Sequence, residues 1–178
     1  LRTAGFSSVD FHMVSMPVII MTLVLMFIGG SSSSTAGGIK TSTFSIMLLS
    51  AYSTIRGKRN IEVFKRTIPQ DIVFRAFSIF MFSLSGVLTG LFVLSISESH
   101  ILAMPDRTLA DLLFEQVSAF STVGLSTGIT GMLSDIGKTT LVISMFIGRV
   151  GTLTVAFALS KSIESKSYKY PDEHMLVG

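Results

Sequence analysis

The sequence predicts an all-α integral membrane fold in which helix–loop–helix units repeat and one helix is broken at membrane depth. Three observations predict it. Only 14% of the 178 residues are charged against 48% hydrophobic, whereas soluble domains carry about 25% charged residues; the mean hydropathy is +0.65. A glycine- and serine-rich segment, Gly29 to Gly38, lies directly between two apolar runs, Pro17 to Ile28 and Phe44 to Ala51. Two short motifs then recur at one fixed separation further along the chain.

The composition also excludes classes. No cysteine is present, so disulfides and thiolate metal sites are ruled out. Tryptophan is absent, which leaves three tyrosines and the phenylalanines for any interfacial belt. The net charge of +3 is small and unevenly placed, a pattern of membrane topology rather than of nucleic-acid binding. Leu1 is not an initiator methionine and Leu1 to Asp10 lacks a signal-peptide pattern, so the chain is expected to be a fragment.

Leu1 to Val9 is too polar and glycine-broken for a span. Met13 to Ile28 is apolar, with Pro17 tolerable in a first helical turn. Alone it falls short of the roughly 20 residues a crossing needs. Continued to Ile55 it is ample, so the interruption lies inside the crossing. The interruption comprises Gly29, Gly30, Ser31, Ser32, Ser33, Ser34, Thr35, Ala36, Gly37 and Gly38, with Lys40 at its end. Irregular backbone at that depth persists only when packed in protein or lining a watery cavity. A phosphate loop would need Gly-Lys-Ser/Thr together, and Ile39 separates Gly38 from Lys40. A flexible linker is the bland alternative, and the apolar flanks argue against it.

Residues 57–70 read as a solvated basic linker, with Lys58, Arg59, Lys65 and Arg66; basic short loops mark the cytoplasmic side. Asp71 to Ser97 is the next crossing, carrying a Gly86-x-x-x-Gly90 pair suited to close helix approach. Arg75 near its start is explained by snorkelling. Glu98 to Arg107 is expected as an acidic-leaning external loop. Asp106 to Phe120 has Leu109, Leu112, Leu113, Val117 and Phe120 at helical spacing, with Asp106 or Thr108 as cap. That amphipathic helix is too short to span and must dip in and return. Ser121 to Ile136 is the return, and Thr139 to Ser160 the last crossing, followed by Lys161, Lys166 and Lys169 on the cytoplasmic side. Residues 164–178 form a polar tail.

Thr3-Ala4-Gly5-Phe6 aligns with Thr122-Val123-Gly124-Leu125, and Met26 to Gly29 aligns with Met145 to Gly148. Gly5 to Gly124 and Phe27 to Phe146 both span 119 residues. The repeating unit is helix, dipping helix, glycine-centred loop, helix. Such repeats assemble with their loops facing an axis, and exposed carbonyls there can replace a cation's hydration shell. The C-terminal end of the dipping helix carries about half a negative charge, which favours a cation over an anion. The expected architecture is thus one of helix–pore-loop–helix repeats around a central ion pore, with the broken helix facing it.

Arg149 lies near the middle of the expected last crossing, where a charge costs about 2.5–3.5 kcal/mol; a pore-facing role is favoured over a structural ion pair. For Lys40, interfacial snorkelling competes evenly with a gating role. Glu115 is given no ion-binding role. His12, His100 and His174 are scattered and suggest no metal site. A membrane enzyme or a structural scaffold without flux are the alternatives, and no serine is paired with a nearby His or Lys in a nucleophile arrangement.

These residues carry a family likeness. Thr3 to Phe6 and Thr122 to Leu125 resemble the single-glycine selectivity filters of the Trk/Ktr/HKT potassium-transporter superfamily. Gly29 to Thr41 resembles the intramembrane gate loop of its third repeat, although that loop often has glycine where this chain has Ser34 and Ala36. Phe146 to Gly151 resembles its fourth-repeat inner helix. The best match is the C-terminal half of a Ktr-type membrane subunit. The resemblance implies that residues 1–56 end the third repeat and residues 71–163 form the fourth. It further implies a homodimer in the lipid of the cell membrane, regulated by a cytosolic nucleotide-binding ring. The implied activity is sodium-stimulated uptake of K+, with K+ the transported ion and Na+ a candidate second ion, no bound cofactor and no nucleic-acid partner. The tail is expected to dock on a partner subunit.

Overall fold

The computed structural model describes residues 5, 11, 14–31, 36–57, 61–63 and 66–151. It is mostly helical. Helix α1 is Met16–Phe27, α2 is Thr41–Ile55, α3 is Gln70–Ser97, α4 is Ser99–Leu102, α5 is Leu109–Phe120 and α6 is Asp135–Val150. Strands β1, Ile61–Val63, and β2, Arg66–Ile68, form an antiparallel hairpin with Ile61 opposite Ile68.

Among the described residues, α3 alone is long and apolar enough to cross a membrane. Its 28 residues extend about 42 Å. Its apolar side chains face outward: Phe74 and Phe92 are each about two-thirds exposed, as lipid-facing residues are. α1 is apolar but has only 12 residues, and it starts with its proline in the first turn, as the sequence suggested.

α5 sits at the centre, packed against α1, α3 and α6, while α2 packs on α3. Lipid is as apolar as leucine, so helix association in a membrane rests on close approach at small residues. The Gly86/Gly90 pair supplies it. A Cβ at Gly90 would overlap the Gln116 amide, and one at Gly86 would touch the Phe120 ring at 3.5 Å. Gly148 does the same on α6, where a Cβ would run into the Phe120 carbonyl oxygen. The buried Gln116 then donates to Ser144 Oγ at 2.9 Å, tying α5 to α6.

Several elements differ from expectation. The 57–70 segment is not simply a solvated loop but holds the hairpin; Ile61, Val63, Thr67 and Ile68 are β-branched and suit a strand. α5 is not amphipathic in the expected sense: Phe114 to Phe120 are all buried, because helices flank it on three sides, while Leu109 is exposed. Its cap is Thr108, in a capping box with Asp111. α6 begins at Asp135 rather than Thr139, because Ser134 accepts from Gly137 N and caps it. It closes at Gly151, whose φ of 95° is not helical. Arg149 therefore lies in the last turn of α6, and the remainder of the expected crossing, 152–160, lies outside the described residues.

Glu98 is the other surprise. Expected in an exposed loop, it is fully buried. Its carboxylate accepts from Ser134 N at 3.2 Å and Ser134 Oγ at 2.5 Å, and it lies over Gly137, where no Cβ would fit. A negative charge at the N-terminus of α6 is favoured by the helix dipole. Burial works to raise the Glu98 pKa, but the Ser134 hydroxyl and N–H, the Ser97 hydroxyl and nearby His100 outweigh it, so the pKa is lowered.

Candidate functional site

The turn after α5 is built from the helix end outward. Thr122 N donates to Ala119 O at 3.1 Å and Val123 N to Ser118 O at 2.9 Å, the paired bonds that close a helix in a Schellman motif. From there the chain runs without regular secondary structure, and burial alternates. Ser121, Val123, Leu125, Thr127 and Ile129 are buried, while Gly124, Ser126, Gly128 and Thr130 are exposed.

Side chains of α5 hold this segment in place. Ser118 Oγ donates to Leu125 O at 2.5 Å, so that peptide oxygen is already engaged. Glu115, the lone charge between Asp111 and Asp135, accepts from the Ser126 hydroxyl, from Thr127 N at 3.1 Å and from Thr130 Oγ1 at 3.0 Å. Arg107 adds a bond to Thr127 O at 3.3 Å. Glu115 was expected to pair with polar neighbours, as it does; Ser118 and Arg107 escaped the sequence reading. The signal available was a single carboxylate followed by a Ser/Thr-rich return.

Gly5 and Gly124 are brought together. Both have positive φ, 66° and 87°, which glycine adopts at little cost. A Cβ on Gly5 would stand 3.2 Å from Gly124 O, and one on Gly124 3.0 Å from Gly5 Cα. Both line a cavity of about 740 Å³, with Glu115, Thr122, Val123, Leu125, Met145, Phe146 and Arg149 also on its wall. Thr3, Ala4 and Phe6 lie outside the described residues, as do His12 and His174.

The break between α1 and α2 is closed at its neck by backbone bonds. Gly29 N donates to Ile39 O at 2.6 Å, Ile39 N to Phe27 O at 3.2 Å, and Thr41 N to Gly30 O at 3.0 Å. Ile28 and Ile39 form a parallel bridge, and Ile39 is buried. Ser31 and Ala36 flank the loop's centre; Ser32 to Thr35 lie outside the described residues. Gly37 and Gly38 pack on the turn after α5: Gly37 N donates to Thr122 Oγ1 at 2.9 Å, and a Cβ on Gly38 would meet Ser121 Oγ at 3.0 Å. Lys40 is the N-cap of α2 and half-exposed. The glycine turn and the last turn of α6 therefore share one cavity, and the break packs on that turn from beside it through Gly37 and Gly38.

A long outward-apolar helix, a short buried helix that turns back and a glycine-rich break packed on that turn fit a helical membrane protein. Comparison with known proteins identifies the family: the model of the TrkH cation transport proteins matches residues 1–170, and the chain belongs to that family. The potassium/sodium uptake protein NtpJ of Enterococcus hirae is 42% identical over 99% of this chain and 39% of its own length. Ktr system potassium uptake protein B of Bacillus subtilis is 41% identical over 99% of this chain and 38% of its own. Its counterpart in Vibrio alginolyticus is 38% identical over 99% and 37%. The chain thus spans well under half the length of these relatives. All three are named for uptake, not for an enzymatic reaction.

Proposed function

We propose that this chain contributes part of the permeation path of a potassium uptake system. In this reading, Thr3 to Phe6 and Thr122 to Leu125 belong to two filter turns. Gly29 to Gly38 with Lys40 is the gate, and Arg149 is a cationic barrier beside it. The observation that carries the reading is the approach of Gly5 to Gly124 over the shared cavity, at backbone contact distance, by residues 119 apart.

The chemistry follows from what the two glycines lack. Without side chains, peptide oxygens can approach a dehydrated alkali ion and replace its water. The C-terminal end of α5 lies at the same turn, and its dipole favours positive charge. The clamp by Glu115 and Ser118 holds the turn in one geometry, which selection between ions of similar charge requires. Potassium is the proposed ion because the relatives are named for potassium or potassium/sodium uptake; a stimulating role for Na+ belongs to the same proposal.

The whole assembly is proposed in the same terms. Residues 1–56 end one repeat, 57–70 form a cytoplasmic segment, 71–163 make the next repeat and 164–178 a cytoplasmic tail. The complete protein acts as a homodimer on a nucleotide-binding regulatory ring. The test is uptake: the full-length protein, expressed in cells lacking their own potassium uptake, should restore K+ or Rb+ accumulation. A well-expressed protein that moves neither ion would overturn the proposal.

A further inference from the structure

Thr122 stands where the chain calls for glycine. It is the residue just past the cap in the closing motif of α5, a left-handed position that glycine usually fills. Its φ is 53°, and every other positive-φ residue among those described is glycine: Gly5, Gly38, Gly57, Gly124, Gly128 and Gly151. For a β-branched residue this is a true outlier. Strain of this kind persists where the surroundings over-determine it, and it clusters at functional sites and switches.

The side chain accounts for the exception. Thr122 Oγ1 is the acceptor for Gly37 N, 85 residues away in sequence, at 2.9 Å. Gly37 is buried, and a Cβ there would meet Thr122 Oγ1 and Cγ2, both at 2.9 Å, and Gly148 O at 3.1 Å. A glycine at 122 would relax the backbone but leave the Gly37 N–H without its acceptor. Thr122 is also joined to the turn beyond it. The next residue, Val123, is bonded to Ser118 O, and Ser118 Oγ bonds to Leu125 O. A shift of Thr122 therefore strains the bonds that pin the Thr122–Val123 and Leu125–Ser126 peptides, one on each side of Gly124, to Ser118.

We infer that Thr122 is a latch between the broken-helix loop and the glycine turn, a positioning residue that couples the docked state of one to the geometry of the other. Its hydroxyl is committed to Gly37 and not to a passing ion. The coupling rests on the proposed gate reading of the loop; the latch itself does not.

The experiment compares Thr122→Gly, Thr122→Ser and wild type in the full-length protein in lipid nanodiscs, by hydrogen exchange of the peptide covering residues 36–39 and by Rb+ uptake. Loss of one hydrogen bond should speed exchange about two- to tenfold in Thr122→Gly. The melting temperature should stay level or rise, because the left-handed strain is relieved, and basal uptake should increase. Thr122→Ser keeps the hydroxyl and should restore slow exchange. Unchanged exchange in Thr122→Gly, or exchange in Thr122→Ser as fast as in Thr122→Gly, overturns the latch whatever the uptake. Faster exchange with unchanged uptake supports the latch and overturns the gate reading.

Discussion

The glycine turn after α5 and the loop between α1 and α2 meet at Thr122 but are held in different ways. The turn is held by side chains: on α5, Glu115 gathers three donors and Ser118 one carbonyl, and Arg107, just ahead of α5, takes another. The loop is held at its neck by its own backbone, and among the described residues the Gly37–Thr122 bond ties it to the turn. The first arrangement pins the turn at several points to α5 and to the segment just before it. The second joins two stretches far apart in the chain. In the proposed reading the turn selects and the loop closes.

The broadest way to break the comparison is to separate α6 from α5, which unseats both regions. Gly148→Ala pushes a methyl into the Phe120 carbonyl, a backbone atom that cannot swing aside. It should cost about 3 kcal/mol, the upper range for overpacking, read as a lower melting temperature of purified protein in detergent. Glu115→Gln breaks the turn alone. It keeps the shape but removes the charge from a buried hydrogen-bonded cluster, at a cost of about 2 kcal/mol. Potassium preference in competition uptake should fall, while exchange at residues 36–39 stays near wild type. Equal loosening of both segments would erase the contrast between them.

Arg149→Ala sharpens the comparison from the other side, since it leaves the turn's clamp intact. A unit charge about 4 Å from a hydrated path is worth about 1 kcal/mol, or about fivefold in rate. Basal Rb+ uptake should rise by that order with ion preference unchanged; unchanged or reduced uptake at equal expression would remove the barrier role. The smallest effect is expected at Glu98, at the N-terminal end of α6. Its lowered pKa means that its charge stabilises the fold above the ordinary carboxylate range, and that this contribution is lost as pH falls through the native value. The wild type should exceed Glu98→Gln by about 1 kcal/mol at pH 7. The gap should close in acid, as followed by thermal unfolding.

Much of this arrangement was legible in the sequence where the signal is local. The apolar run of α3 and the proline at the start of α1 sit within a residue or two of expectation. The break at Gly29 and the alignment of Gly5 with Gly124 need only composition and spacing. What was not legible depends on partners distant in the chain. Glu98 reads as a loop residue until Ser134, 36 positions on, covers it. The start of α6 moved because that same serine caps it. Thr122 reads as an ordinary member of a Thr-Val-Gly motif, and nothing local announces its left-handed backbone; the reason lies in Gly37. The apolar run reads as one helix through Gly151, whose conformation ends α6; the rest of that expected crossing, 152–160, lies outside the described residues.

The most direct measurement is potassium-over-sodium preference in competition uptake by full-length Gly5→Ser and Gly124→Ser variants. A side chain at either position meets backbone of the other turn and a φ that serine rarely adopts. The account predicts that each variant, inserted at normal levels, loses preference for potassium, and that the double variant is little worse than either alone. Wild-type preference in both single variants would contradict it.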